Sequence, residues 1–112
     1  MKDIIVTGGR DYNNWDKVQK VLSLFDIGLL IQGGASGADR LAQKYCDFYQ
    51  INSFLVEAEW DKHGRAAGPI RNLEMLKKYP NAIVVAFPGG AGTENCVKQA
   101  ISRGHIVLRV QE

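Results

Sequence analysis

The sequence predicts an α/β fold, a parallel sheet with helices on both faces. Three observations predict it. Five short apolar runs alternate with four stretches of helical periodicity along the 112 residues. Every connection between them is short, which fits parallel strands joined by crossover helices. Three strand-to-helix junctions are also glycine clusters: Thr7-Gly8-Gly9-Arg10-Asp11, Gly33-Gly34-Ala35-Ser36-Gly37-Ala38-Asp39, and Pro88-Gly89-Gly90-Ala91-Gly92-Thr93-Glu94.

The first strand is Lys2 to Thr7, whose Ile4-Ile5-Val6 suits a central strand buried on both faces. Asn13 or Asn14 can cap a helix in which Trp15, Val18, Leu22 and Phe25 share one side. Leu29-Leu30-Ile31 is the second strand. Ser36-x-x-Asp39 then has the form of a capping box. The helix it opens carries an apolar stripe of Ala38, Leu41, Ala42, Tyr45 and Phe48. Ser53 to Val56 is the third strand, placed towards an edge by the Glu57 and Glu59 that follow it. Residues 58–69 read as a loop. Pro69 suits the first turn of a helix running to about Tyr79, with Ile70, Leu73 and Leu76 inward. Ala82 to Ala86 is the fourth strand, and His105 to Val110 the fifth. Between them the last helix, Thr93 to Arg103, faces Val97, Ala100 and Ile101 inward and stops at Gly104.

A chain of 112 residues forms one domain, residues 1–112, with a single core. A net charge of +2 is too small to argue for a nucleic-acid coat or an anionic membrane as partner. No apolar run approaches a membrane span and no export signal is visible, so a cytoplasmic location is expected. Cys46 and Cys96 stand far apart with no Cys/His cluster around them, which reads as two reduced thiols and no metal site.

Chemistry concentrates in the glycine clusters. A strand that runs into a glycine turn and then a helix presents backbone N–H groups at one spot, at the positive end of the helix dipole. That spot suits a phosphate, and glycine lets a ligand approach the backbone. One such cluster reads equally as an ordinary tight turn, but three in one chain point to an anion pocket. Two familiar phosphate motifs are excluded. Gly-x-x-x-x-Gly-Lys-Ser/Thr is absent, and Gly8-Gly9-Arg10-Asp11-Tyr12-Asn13 is not Gly-x-Gly-x-x-Gly. The second strand ends in Gln32-Gly33-Gly34 and not in the acid that holds a ribose in NAD dehydrogenases.

Pro88-Gly89-Gly90-Ala91-Gly92-Thr93 resembles the Pro-Gly-Gly-x-Gly-Thr signature of the SLOG superfamily, which includes the LOG phosphoribohydrolases and the DNA-processing protein A family. With Val6 to Tyr12, Gly33 to Asp39, and Ala67 to Asn72 followed by Met75, the chain is similar to the YspA, cpYpsA-related SLOG family. The resemblance implies a Rossmann-like, three-layer domain with five parallel strands in the order 3-2-1-4-5. In that order strands 1 and 4 are neighbours whose connections leave in opposite directions, and a ligand crevice opens beyond their carboxyl ends.

The expected binding set is Thr7, Gly8, Gly9 and Arg10 from the first loop and Gly34, Ala35, Ser36 and Asp39 from the second, with Arg71. The last loop adds Pro88, Gly89, Gly90, Ala91, Gly92, Thr93 and Glu94. Arginine suits bidentate phosphate recognition. Arg71 has the further merit of standing in a first helical turn, where a cation opposes the dipole, and it matches the Arg of the LOG Arg-x-x-x-Met segment. Arg40 and Arg65 read as readily as surface arginines. Asp39 can orient a ribose or a water, or simply cap its helix, and the two readings stand side by side. Asp11 caps its own loop or holds Arg10. Trp60 and His63 can cover a planar ring, or Trp60 can close the core. LOG hydrolases continue Pro-Gly-Gly-x-Gly-Thr-x-x-Glu, and here that catalytic Glu position is Cys96. Glu94 lies two residues earlier, about 200° round a helix, so it is no simple substitute. Cys96 is an activated thiolate at a helix start or a small buried residue, and its place on the Val97/Ala100 side favours the second.

The expected function is therefore binding, in a homo-oligomer, of a nucleotide or an NAD-derived, ADP-ribose-like molecule, linear or cyclic, as sensor, carrier or sequestering protein. No separate cofactor is expected. The alternative is an N-glycosidic-bond hydrolase with Asp39 or Glu94 as its acid. A third class, single-stranded DNA binding, is disfavoured by the absence of a basic, aromatic-studded stripe.

Overall fold

Ile4, Ile5 and Val6 are fully buried because the strand that holds them has a neighbour on each side and helices on each face. In the computed structural model, which describes residues 1–112, the central strand is β1 (Lys2–Thr7). It is followed by α1 (Trp15–Leu22), β2 (Ile27–Gln32), α2 (Ala38–Tyr49) and β3 (Ser53–Leu55). Then come α3 (Trp60–His63), a 3-10 turn (Gly64–Ala66), α4 (Ala67–Lys78), β4 (Ile83–Ala86), α5 (Ala91–Ser102) and β5 (Val107–Arg109). The sheet is parallel throughout, in the order β3-β2-β1-β4-β5. Ile4 lies beside Leu30 of β2 and Ile83 of β4. No helix is long and apolar enough to cross a membrane.

Strand alternation divides the core in two. Ile4 and Val6 face α1 and α2, where Val18, Leu22, Ala42, Tyr45 and Phe87 fill the larger cluster. Ile5 faces the other way, towards Met75 and Leu76 of α4 and Ala100 of α5. Each such Ile or Leu, fully buried, contributes roughly 1.5–3 kcal/mol. Asn14 caps α1 by accepting from the Lys17 N–H at 3.0 Å.

Several boundaries differ from expectation. The stretch 58–69 is not a loop: it holds α3 and the 3-10 turn, and α4 already begins at Ala67. Pro69 is thus its third residue, still within the turn whose N–H groups have no intrahelical partner. The inward side of α4 is Asn72, Met75 and Leu76, with Ile70 and Leu73 only half-buried, because Asn72 finds hydrogen-bond partners on α5. Phe48 and Ile101 are 69% and 62% exposed. Each stands about 100° round its helix from the buried row, at the margin of the apolar face. The capping residue of α2 is Gly37, not Ser36. The last strand starts late because the chain turns at Gly104 (φ 85°) and His105 is drawn inside, its Nδ1 2.8 Å from the Ala82 carbonyl oxygen.

Gly37 has φ 78°, and a Cβ there would collide with the Gly9 and Arg10 carbonyls. Gly104 has a similar φ but open space around it. Gly37→Ala should cost about 3 kcal/mol or more, and Gly104→Ala only about 1 kcal/mol. Urea unfolding of the two variants measures the difference. Equal losses would mean that backbone conformation, and not the loop contact, is what Gly37 supplies.

Candidate functional site

Beyond the carboxyl ends of β1 and β4 the three glycine loops meet, and one residue, Gly9, joins them. The Gly9 N–H donates to the Pro88 carbonyl at 2.9 Å, and the Gly9 carbonyl accepts from the Ala38 N–H at 3.1 Å. A Cβ at Gly8 would strike Ala38, one at Gly9 would strike the Pro88 carbonyl, and one at Gly89 would strike Thr93 and the Gly9 backbone. These glycines are required by loop-on-loop packing. Gly90 and Gly92 are different, since nothing stands within 4 Å of their missing side chains. They are open towards a cleft of about 970 Å³.

The cleft gathers most of the residues expected to line it: Thr7, Gly8, Gly9, Arg10, Gly34, Ala35, Ser36, Asp39, Arg71, Gly90, Ala91, Gly92 and Thr93. Pro88 and Gly89 lie behind the lining, against the first loop. Glu94 faces away from it, in a paired, bidentate contact with Arg109 of β5 that lowers its pKa. Arg40 and His63 do not reach the cleft, whereas Trp60 and Arg65 stand on its wall.

One polar feature of the cleft is the start of α5. Gly90 is the capping residue and supplies no side chain. The N–H groups of Ala91, Gly92 and Thr93 make no hydrogen bond within the protein, and the helix dipole adds partial positive charge there. Beside it lies Arg71, half-buried, with Nη1 donating to the Gly33 carbonyl at 2.7 Å and Nε to Asn72 Oδ1 at 3.0 Å. Two of its five N–H donors are used in these bonds. A Cβ at Gly33 would run into this guanidinium, which accounts for that glycine.

With Asn95, Asn72 is a cleft residue that sequence reasoning missed. Buried in α4, it accepts from Arg71 and donates to Asn95 Oδ1 at 3.1 Å and the Gly92 carbonyl at 3.4 Å. It thereby fixes Arg71 relative to the start of α5. Gln99 completes the set, donating to Asn95 Oδ1 and the Pro69 carbonyl. The one signal for Asn72 in the sequence was its place in the Ala67 to Asn72 segment, since the expected inward side was Ile70, Leu73 and Leu76.

Asp39 is only 6% exposed. Its Oδ2 accepts from the Ala35 N–H at 3.1 Å, while Oδ1 is sealed from solvent without a well-formed hydrogen bond. Ser36 does not complete a capping box, for its hydroxyl donates to the Arg10 carbonyl. Burial pushes the Asp39 carboxyl up to about 6, and the Ala35 and Gly33 N–H groups and the Arg71 charge offset only part of that. Cys96 is fully buried, and desolvation raises its thiol to about 11 despite the Thr7 hydroxyl and Arg71. It is protonated at neutral pH and inert, as its place on the inward helix face implied.

The chain matches the model of the YspA, cpYpsA-related SLOG family over residues 2–63. It is 31% identical over 120 residues to the gene 61 protein of Mycobacterium phage D29, covering 96% of this chain and 95% of that protein. Among solved structures, DNA processing protein A from Streptococcus pneumoniae is similar, with a TM-score of 0.56. That likeness spans 96% of this chain and 58% of the other at 14% identity, and is one of fold.

The Asp39 carboxyl makes a stability prediction. Asp ordinarily titrates near 3.8, and folding raises this group to about 6. Between those values the folded state holds the extra proton, so stability falls as pH rises through the window and the loss is complete above it. Asp39→Asn should therefore stabilise the protein by about 1–3 kcal/mol at pH 8 and by much less at pH 4. Urea unfolding at the two pH values tests this, and a variant less stable than the parent at pH 8 would refute it.

Proposed function

The chain belongs to the YspA, cpYpsA-related SLOG family, and from that premise we propose that it binds a nucleotide or an ADP-ribose-like molecule through a phosphate at the start of α5. One observation carries the reading. The free N–H groups of Ala91, Gly92 and Thr93, the open faces of Gly90 and Gly92, and the Arg71 guanidinium share one cleft. Backbone donors and a fixed cation together favour a phosphate over a neutral ligand. The cleft's size also falls in the range of small-molecule sites. Binding without turnover is favoured because the carboxylate that the hydrolase signature would place on α5 is replaced by the buried thiol of Cys96. Opening an N-glycosidic bond builds positive charge on the ribose, and a nearby carboxylate supplies much of the stabilisation.

Asp39 supports a second reading. It is an acid on the cleft wall whose carboxyl is pushed up to about 6 by burial, the direction that suits a proton-transferring group in a glycosidic hydrolase. Glu94, held by Arg109, is the poorer candidate.

Mass spectrometry of the small molecule released from denatured protein should recover an intact nucleotide or ADP-ribose derivative. In calorimetry with ADP-ribose, Arg71→Ala should weaken binding by about 1.5–3 kcal/mol, the loss of a charged hydrogen bond. Arg40→Ala, an equal loss of charge outside the cleft, should leave affinity unchanged. Equal effects of the two would reduce Arg71 to a general electrostatic contribution. Multiple-turnover release of free base that disappears in Asp39→Asn would replace the binding reading with the hydrolase.

A further inference from the structure

One large apolar side chain stands on the wall of a cleft lined otherwise by glycines and by small or polar residues, and it belongs to neither core cluster. Trp60 is 50% exposed and is the one aromatic residue lining the cleft. It belongs to the segment of α3 and the 3-10 turn, in which no residue is buried. The core closes without it, so Trp60 does not complete the core. On the protein side its ring edge rests over Gly68, where a Cβ would come within 3.4 Å. Arg65, from the same segment, shares the wall. An indole left half in water retains a large unburied apolar face, and a flat aromatic partner is the group that covers such a face best.

We infer that Trp60 is a stacking platform for the planar base of a mononucleotide whose phosphate lies at the start of α5. This rests on the phosphate reading above and extends it. The phosphate groups alone accept any anion, whereas Trp60 makes the site prefer anions that carry an aromatic ring. Stacking on one exposed ring discriminates little among bases, because every base has a π face. The selectivity is thus for base-bearing ligands over plain sugar phosphates. A free mononucleotide is favoured over a single strand of nucleic acid because a strand needs successive aromatic platforms, and this cleft has one.

Calorimetry with AMP and with ribose 5-phosphate, on the parent chain, Trp60→Ala and Trp60→Phe, separates the possibilities. The parent should bind AMP about ten-fold more tightly than ribose 5-phosphate, as one base–aromatic stack provides. Trp60→Ala should erase that preference, and Trp60→Phe should keep most of it. The segment holds no buried residue, so both variants should fold, which a thermal melt verifies. If ribose 5-phosphate binds and AMP binds no better, or if the preference survives in Trp60→Ala, the platform is refuted while the phosphate site stands. If neither ligand binds, the phosphate reading falls and the platform with it. Trp60-dependent binding of an eight-residue thymidine oligonucleotide in preference to AMP would assign the ring to a nucleic-acid strand instead. Trp60→Ala that dissociates an oligomer, with the AMP preference unchanged, would assign it to an interface between copies of the chain.

Discussion

Gly9 is the constraint on which the cleft depends. Its N–H and carbonyl are spent on the last and second glycine loops, so three segments far apart in sequence become one surface. Such an arrangement is possible only where backbones touch, and the absence of Cβ atoms at Gly8, Gly9, Gly37 and Gly89 allows that touch. The parallel sheet supplies the frame. With β1 and β4 side by side and their connections leaving to opposite faces, the ends of both strands open onto the same crevice.

A second layer of constraint fixes the charges. Arg71 is a long side chain that would lose considerable rotamer freedom on meeting a ligand. Here the Gly33 carbonyl and Asn72 already hold it, so much of that entropy is lost on folding and not on binding. Asn72 extends the same order to the first turn of α5 through Gly92 and Asn95. The donors of the cleft are therefore preorganised, the condition under which hydrogen bonds to an anion are most effective. Against this stands Asp39, a carboxylate kept in a place that penalises its charge. Its bond to Ala35 shapes the second loop, yet a neutral residue could do the same, and sites that store such strain are commonly functional ones.

The glycine-rich signature thus serves two separable purposes. Some of its glycines assemble the loops, and others leave the start of α5 bare. The hydrolase version adds a carboxylate one helical turn further on, and this chain has instead a small thiol packed beneath Thr7. The backbone hydrogen bonds that join the loops at Gly9 do not involve Cys96, so they do not depend on which residue stands there.

The sequence by itself determined the layered architecture, since alternation of buried runs and helical periodicity is a local property that survives without knowledge of contacts. It also located the end of the sheet where the cleft opens, because three glycine clusters fall at strand ends. What it could not decide were matters of orientation. Whether Glu94 faced the cleft depended on Arg109, a partner from another strand. Asn72 looked like one more helix residue until α5 packed against it. Ile70 and Leu73 lost the inward side of α4 to a polar network that only the tertiary structure creates. Trp60 could be core until it proved half-exposed, in a segment that holds no buried residue. A periodicity reports which face is apolar on average. Hydrogen bonds between residues far apart in the chain decide the rotation of each helix, and hence which side chains line the cleft.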